Sequence, residues 1–193
     1  MRPIRFTFAI LIASAVLPAS SEAQSASSPS TVWVSAGLGG GWTRVSCAIC
    51  RTNRNLGPTG YVRIGVPFRP GVVLGAEANF WTRAGEPIDD EDQREWTRGY
   101  SAVLHLYPRP SGAFFVKAGV GQLSFQANDQ LSTRSVGVQL GAGYEFRVGQ
   151  KLYLSNYLNL LASSYGSLQA GGDQVVDDVN VTLVQIGVGL TRK

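Results

Sequence analysis

Cys47 and Cys50, in the segment SCAICR, are the residues whose spacing most directly suggests chemistry. A C-x-x-C pair is half of a metal site, a redox couple or a plain disulfide. A complete zinc site takes four ligands, yet no second such pair exists and the single histidine, His105, lies far along the chain. Redox pairs usually open a helix, and none is predicted here. In an oxidising location the favoured reading is a local disulfide that stiffens a loop. The stretch EPIDDEDQRE, 86–95, concentrates acids and invites comparison with a divalent-cation site. It lacks the glycine and ligand rhythm of a calcium loop, so a solvated acidic loop is the better reading, offset by Arg44, Arg51 and Arg54. His105 is a candidate general base, but no nucleophile and orienting group are legible around it. These residues predict no enzyme, no metal site and no cofactor.

The location that would favour a disulfide is written at the start of the chain. MRPIRFTFAILIASAVLPASSEAQ has two arginines, an apolar run from Phe6 to Leu17, and Ser21 and Ala23 placed for cleavage before Gln24. That is the layout of a secretory signal peptide, residues 1–23, leaving a single domain at 24–193. Its removal takes two arginines and one glutamate from a chain of formal net charge +4. The mildly basic remainder has no basic cluster interleaved with aromatics, so nucleic acid is not an expected partner. After the leader, no apolar segment reaches the ~18 residues of a membrane helix. A membrane-inserted form of this chain must therefore be a barrel.

The elements that position these residues are strands. From Ser135 the sequence SVGVQLGAGYEFR puts Val136, Val138, Leu140, Ala142, Tyr144 and Phe146 on one face. Ser135, Gly137, Gln139, Gly141, Gly143 and Glu145 fall on the other, a period of two that marks a strand with one apolar face. The same alternation begins at Val32, Val62, Val72, Tyr100 and Val184, and blurs near Leu152–Leu160 because Asn156 falls among the apolar positions. Eight strands are predicted. In AFFVKAGVGQLSF, Phe114, Val116, Ala118 and Val120 share the apolar face, so Lys117 points the opposite way. An isolated ammonium buried among apolar groups costs several kcal/mol; the lysine must face water or a polar lumen.

Period alone fits a soluble sandwich as well as a membrane barrel, and three features separate them. Short connections near 67–71, 107–112 and 147–150 alternate with long polar ones near 43–58, 83–95, 124–134 and 162–179, which collects the long ones at one end. Aromatics on the apolar face sort by height into two girdles. Trp42, Phe80, Trp96 and Tyr100 lie toward the long loops, and Phe114, Tyr144 and Phe146 toward the turns. Charges of both signs share the glycine-rich face. Folding one hairpin about Arg69 places Tyr61 opposite Glu77 and Arg63 diagonal to it. Folding another about Pro110 places Val103 opposite Lys117 and His105 diagonal to it. Arg63, Glu77, His105, Lys117 and Glu145 are thus expected to form an ion-paired network in the lumen, with Glu145 and Arg147 near the turn end. Eight strands leave an interior that side chains can fill.

The glycine-alternating strands FVKAGVG (115–121), VGVQLGAGYEF (136–146) and VTLVQIGVGLTRK (181–193) make the chain resemble the small eight-stranded outer-membrane barrels of Gram-negative bacteria, the OmpA/OmpX-like and opacity-protein-like group. A Trp42 after three glycines also resembles the G-x-W opening of lipocalins, but lipocalins do not predict two girdles. The barrel resemblance implies an all-β, eight-stranded antiparallel up-and-down transmembrane β-barrel in the outer membrane. It also implies outer-membrane lipids, lipopolysaccharide and the barrel assembly machinery as partners. Such barrels commonly end in an aromatic residue that assists assembly, whereas this chain ends Leu190, Thr191, Arg192, Lys193. The function expected is that of a non-enzymatic scaffold with a closed lumen that presents four external loops. The alternative is a narrow pore or a transport barrel for a small apolar ligand.

Overall fold

The computed structural model describes residues 32–47, 54–84, 94–109, 112–127, 131–170 and 173–193, without the side chain of Tyr165. The leader segment, Cys50, Arg51 and most of the acidic stretch 86–95 lie outside the described residues. Eight strands follow in chain order: β1 (Trp33–Ser46), β2 (Asn55–Arg69), β3 (Val72–Ala84), β4 (Arg94–Leu106), β5 (Phe114–Ala127), β6 (Leu131–Arg147), β7 (Leu152–Ala170) and β8 (Asp173–Arg192). Each pairs antiparallel with the next, and β1 pairs with β8 to close a barrel. Closure leaves no sheet edge, which is what allows a β-structure to sit in lipid.

The period-two alternation becomes an inside and an outside. Val34, Val62, Ile64, Leu74, Val120, Val136, Val138, Leu140, Ile186 and Val188 are all exposed on the outer wall, whereas Arg63, Glu77, His105 and Lys117 are buried. In a water-soluble protein that distribution would be inverted; around a barrel it gives an apolar belt with a polar interior. Asn156, which blurs the pattern of β7, does lie on the outer wall. Its Oδ1 accepts the Tyr144 backbone N–H at 3.0 Å, so the polar atom does not face lipid unpaired.

Three expectations are corrected. Arg63 is directly opposite Glu77, with Tyr61 opposite Asn79. The turn residues explain the shift: Pro70 precedes Gly71, which adopts φ 77°, a conformation that favours glycine at the third position of a tight turn. The turn alone would set Arg63 opposite Ala78, and a bulge between Pro67 and Arg69 takes back one residue to bring it to Glu77. Likewise His105 lies directly opposite Lys117, and Val103 opposite Gly119. That connection is drawn closed later than Pro110 implies, where Gly112 N–H donates to Arg109 O at 2.7 Å. Finally, two of the long polar connections, 124–134 and 162–179, are largely strand. β7 and β8 contain 19 and 20 residues, roughly twice the ~9–11 that cross a bilayer, and pair to Ala170 and Asp173 through a succession of bulges. Backbone pairing continues beyond the apolar belt because it satisfies the N–H and C=O groups of both strands there as well.

Candidate functional site in the barrel lumen

Six strands send polar side chains to the middle of the lumen, and Glu77 of β3 is their hub. Arg63 on β2 donates through Nε to Oε2 at 2.5 Å, and Lys117 on β5 donates through Nζ to both carboxylate oxygens, at 2.6 and 2.7 Å. Gln139 on β6 donates to Oε1 at 2.5 Å, and Asn159 on β7 does so at 3.5 Å. From β8, Gln185 accepts from Asn159 at 3.2 Å and donates across to the carbonyls of Gly60 and Phe80. Two cations therefore share one carboxylate. Arg63 is further covered by aromatic faces, its guanidinium carbon 4.4 Å from the Tyr61 ring centre and 5.3 Å from that of Trp33. Glycine makes the approach possible: a Cβ at Gly141 would meet Lys117 Cε at 2.6 Å and Asn159 Oδ1 at 2.7 Å.

The expected network is in fact two separate groups. His105 is fully buried but makes no ion pair; its ring packs edge-on to Trp33 at 4.9 Å and against Phe115 at 5.5 Å. Glu145 does not reach Glu77 or its cations. It accepts from Tyr107 OH at 3.1 Å and pairs with Lys193, whose ammonium also lies 4.4 Å from the Tyr107 ring and 4.7 Å from Tyr153. Lys193, noted in the sequence only as a departure from an aromatic ending, thus folds over the turn-end mouth. Arg147 is outside the lumen, donating to the turn carbonyls of Gly149 and Gln150. Lys193 is about one third exposed but Glu145 is nearly inaccessible, so Lys193→Gln, which leaves a buried carboxylate without its cation, should cost about 1–3 kcal/mol. Urea unfolding in micelles checks this, and a loss several times larger would mean the mouth is far drier than the geometry implies.

What the charge pattern leaves unannounced is that apolar plugs close both sides of the central layer. Trp33, Val73, Tyr107 and Phe115 fill the turn end, and Trp81, Leu123, Phe125, Leu161, Val181 and Leu183 fill the long-strand end. The signal was present in the parity. Continuing the inward positions leads from Glu77 through Asn79 to Trp81, from Lys117 to Leu123 and Phe125, and from Asn159 to Leu161. Among the described residues no group of three or more His, Cys, Asp or Glu side chains is placed to hold a metal ion. Neither ring nitrogen of His105 has a hydrogen-bond partner among the described residues. The predicted girdle residues all lie on the outer wall, with Phe114 opposite Tyr144 and the Tyr144 and Phe146 rings 4.8 Å apart. Cys47 follows β1 at the long-strand end, and its proposed partner Cys50 lies outside the described residues.

Solved structures share this architecture at low sequence identity. Neisserial surface protein A matches with a TM-score of 0.55 and 12% identity over 84% of this chain and 96% of its own. The attachment invasion locus protein Ail of Yersinia pestis, in complex with the heparin analogue sucrose octasulfate, matches with a TM-score of 0.52 and 12% identity over 83% and 98%. OprG of Pseudomonas aeruginosa, an outer membrane protein, matches with a TM-score of 0.50 and 11% identity over 83% and 94%. At these identities the likeness is one of fold. No curated protein sequence matches the chain significantly. The family model for the outer membrane protein beta-barrel domain matches residues 9–191, nearly the whole sequence, and the chain belongs to that family of Gram-negative outer-membrane barrels.

Proposed function

We propose that this protein is a closed, non-enzymatic scaffold of the outer membrane, exported by its 1–23 leader and inserted by the barrel assembly machinery, whose role is to hold extended β-hairpins above the membrane. The observation that carries this reading is the filling of the lumen. A buried layer in which Arg63 and Lys117 share Glu77 is stacked between two apolar plugs, so a solute crossing would have to break ion pairs and displace fully buried rings. Trp42, Phe80, Trp96 and Tyr100 border the upper edge of the lipid belt in this reading, and Phe114, Tyr144 and Phe146 the lower. A disulfide between Cys47 and Cys50 shortens the first connection.

Single-channel recording in planar bilayers tests the reading. The folded protein should leave the membrane at its baseline conductance, apart from rare brief events. Steady opening would overturn the closed lumen and replace it with a narrow pore gated by the Glu77 cluster.

A further inference from the structure

Toward the long-strand end, polar residues gather on the outer wall of β4, β5 and β6. In register across β4, β5 and β6, Arg98 is opposite Ser124 and Ser124 is opposite Arg134, all on the outward face. The next outward row toward the long-strand end holds Trp96, Gln126 and Ser132. Together they line a depression of about 380 Å³. With neighbouring strands ~4.8 Å apart, the two arginines stand ~10 Å from each other across a neutral serine. Both are exposed, and neither forms a salt bridge with another described residue. The Arg98 guanidinium lies 5.8 Å from the Trp96 ring centre, an aromatic contact that limits where it can swing.

The height of this row identifies what it meets. Along β5, Ser124 is ten residues from Phe114, which pairs with Tyr144 at the turn end. At ~3.4 Å per residue and a strand tilt near ~40°, that is about 26 Å along the barrel axis. The outward apolar band of an outer-membrane barrel is ~25 Å tall, so with the turn-end aromatics at one margin the arginine row falls at the other. Directly beneath it the next outward row is Tyr100, Gln122 and Val136, and the one below that is the apolar Ala102, Val120 and Val138. Tyr100, Val136, Val120 and Val138 are more than half exposed.

On the outer-membrane reading given above, we propose that Arg98 and Arg134 bind the phosphorylated sugar headgroup of an outer-leaflet glycolipid. Two guanidinium forks suit phosphate oxygens. Ser124, Gln126 and Ser132 offer hydrogen bonds to sugar hydroxyls, and the valine surface below accepts the acyl chains of the same molecule. A soluble anion would use only the first of these features.

The test titrates the protein, folded in detergent micelles, with bisphosphorylated lipid A. An Arg98→Gln/Arg134→Gln variant should bind at least tenfold more weakly, and removing both lipid A phosphates should weaken binding to the unaltered protein to the same degree. Both arginines are exposed, so the variant should keep the heat-dependent gel mobility of a folded barrel. Unchanged affinity in a folded variant would overturn the site. So would competition by inorganic phosphate or phosphatidylglycerol as effective as that by lipid A. A parent chain that shows no heat-dependent mobility would overturn the membrane reading itself, and the glycolipid site with it.

Discussion

Glu77→Gln should cost the barrel roughly 3–5 kcal/mol, the scale of removing one partner from a buried ionic group. The carboxylate is the shared anion of Arg63 and Lys117, both nearly inaccessible to solvent. Neutralising it leaves two cations facing each other in a lumen closed above and below by apolar plugs. Lys117→Gln should be much milder, because Arg63 and Glu77 remain as a balanced pair. Combining the two substitutions should recover part of the loss, since the second relieves the repulsion that the first creates. The double-mutant cycle is read from urea unfolding of the folded protein in micelles. Strict additivity would mean that Lys117 and Glu77 are not energetically coupled, despite their 2.6 Å contact.

The outer wall makes the converse prediction. Ala118 is exposed on β5, next to buried Lys117 and flanked in register by Leu104 and Leu140. It lies between the turn-end aromatic Phe114 and the polar Ser124, near the middle of the apolar belt. Ala118→Arg should therefore cost about 2–4 kcal/mol in lipid, the depth-dependent penalty for arginine near the midplane of a barrel's outer face. The yield of heat-modifiable folded protein in bilayers should fall accordingly. A full yield, or a milder effect than that of Lys117→Gln, would mean that the inner and outer faces are exchanged.

Which residues look inward was legible in the sequence, because strand parity is local and a lysine among valines and glycines leaves few alternatives. Which residues touch was less legible. A bulge at Pro67/Arg69 and the positive φ of Gly71 moved Arg63 from a diagonal position to one directly opposite Glu77, and neither feature has a period. Polar composition beyond the belt suggested long loops, whereas antiparallel pairing carries β7 and β8 on as a hairpin. The apolar plugs were hidden by an assumption that inward means polar. Leu161 and Leu183 keep the inward parity of Asn159 and Gln185, but lie at a level where the lumen is filled by aliphatic side chains. Glu145 lies near the turn end as its position in β6 implies, but its pairing with Lys193 depends on β8 running back along β7 to the same turn, where the Lys193 N–H donates to Lys151 O.

The inversion of inside and outside can be read directly from tryptophan fluorescence. Trp33 and Trp81 are 1% and 0% exposed within the lumen, while Trp42 and Trp96 are on the outer wall. Two variants, Trp42→Phe/Trp96→Phe and Trp33→Phe/Trp81→Phe, would be folded into bilayers of lipids brominated high on the acyl chain, with gel mobility confirming each barrel. The account predicts strong quenching of the variant that keeps the outer pair and little of the one that keeps the inner pair. Equal quenching, or stronger quenching of the inner pair, would contradict it.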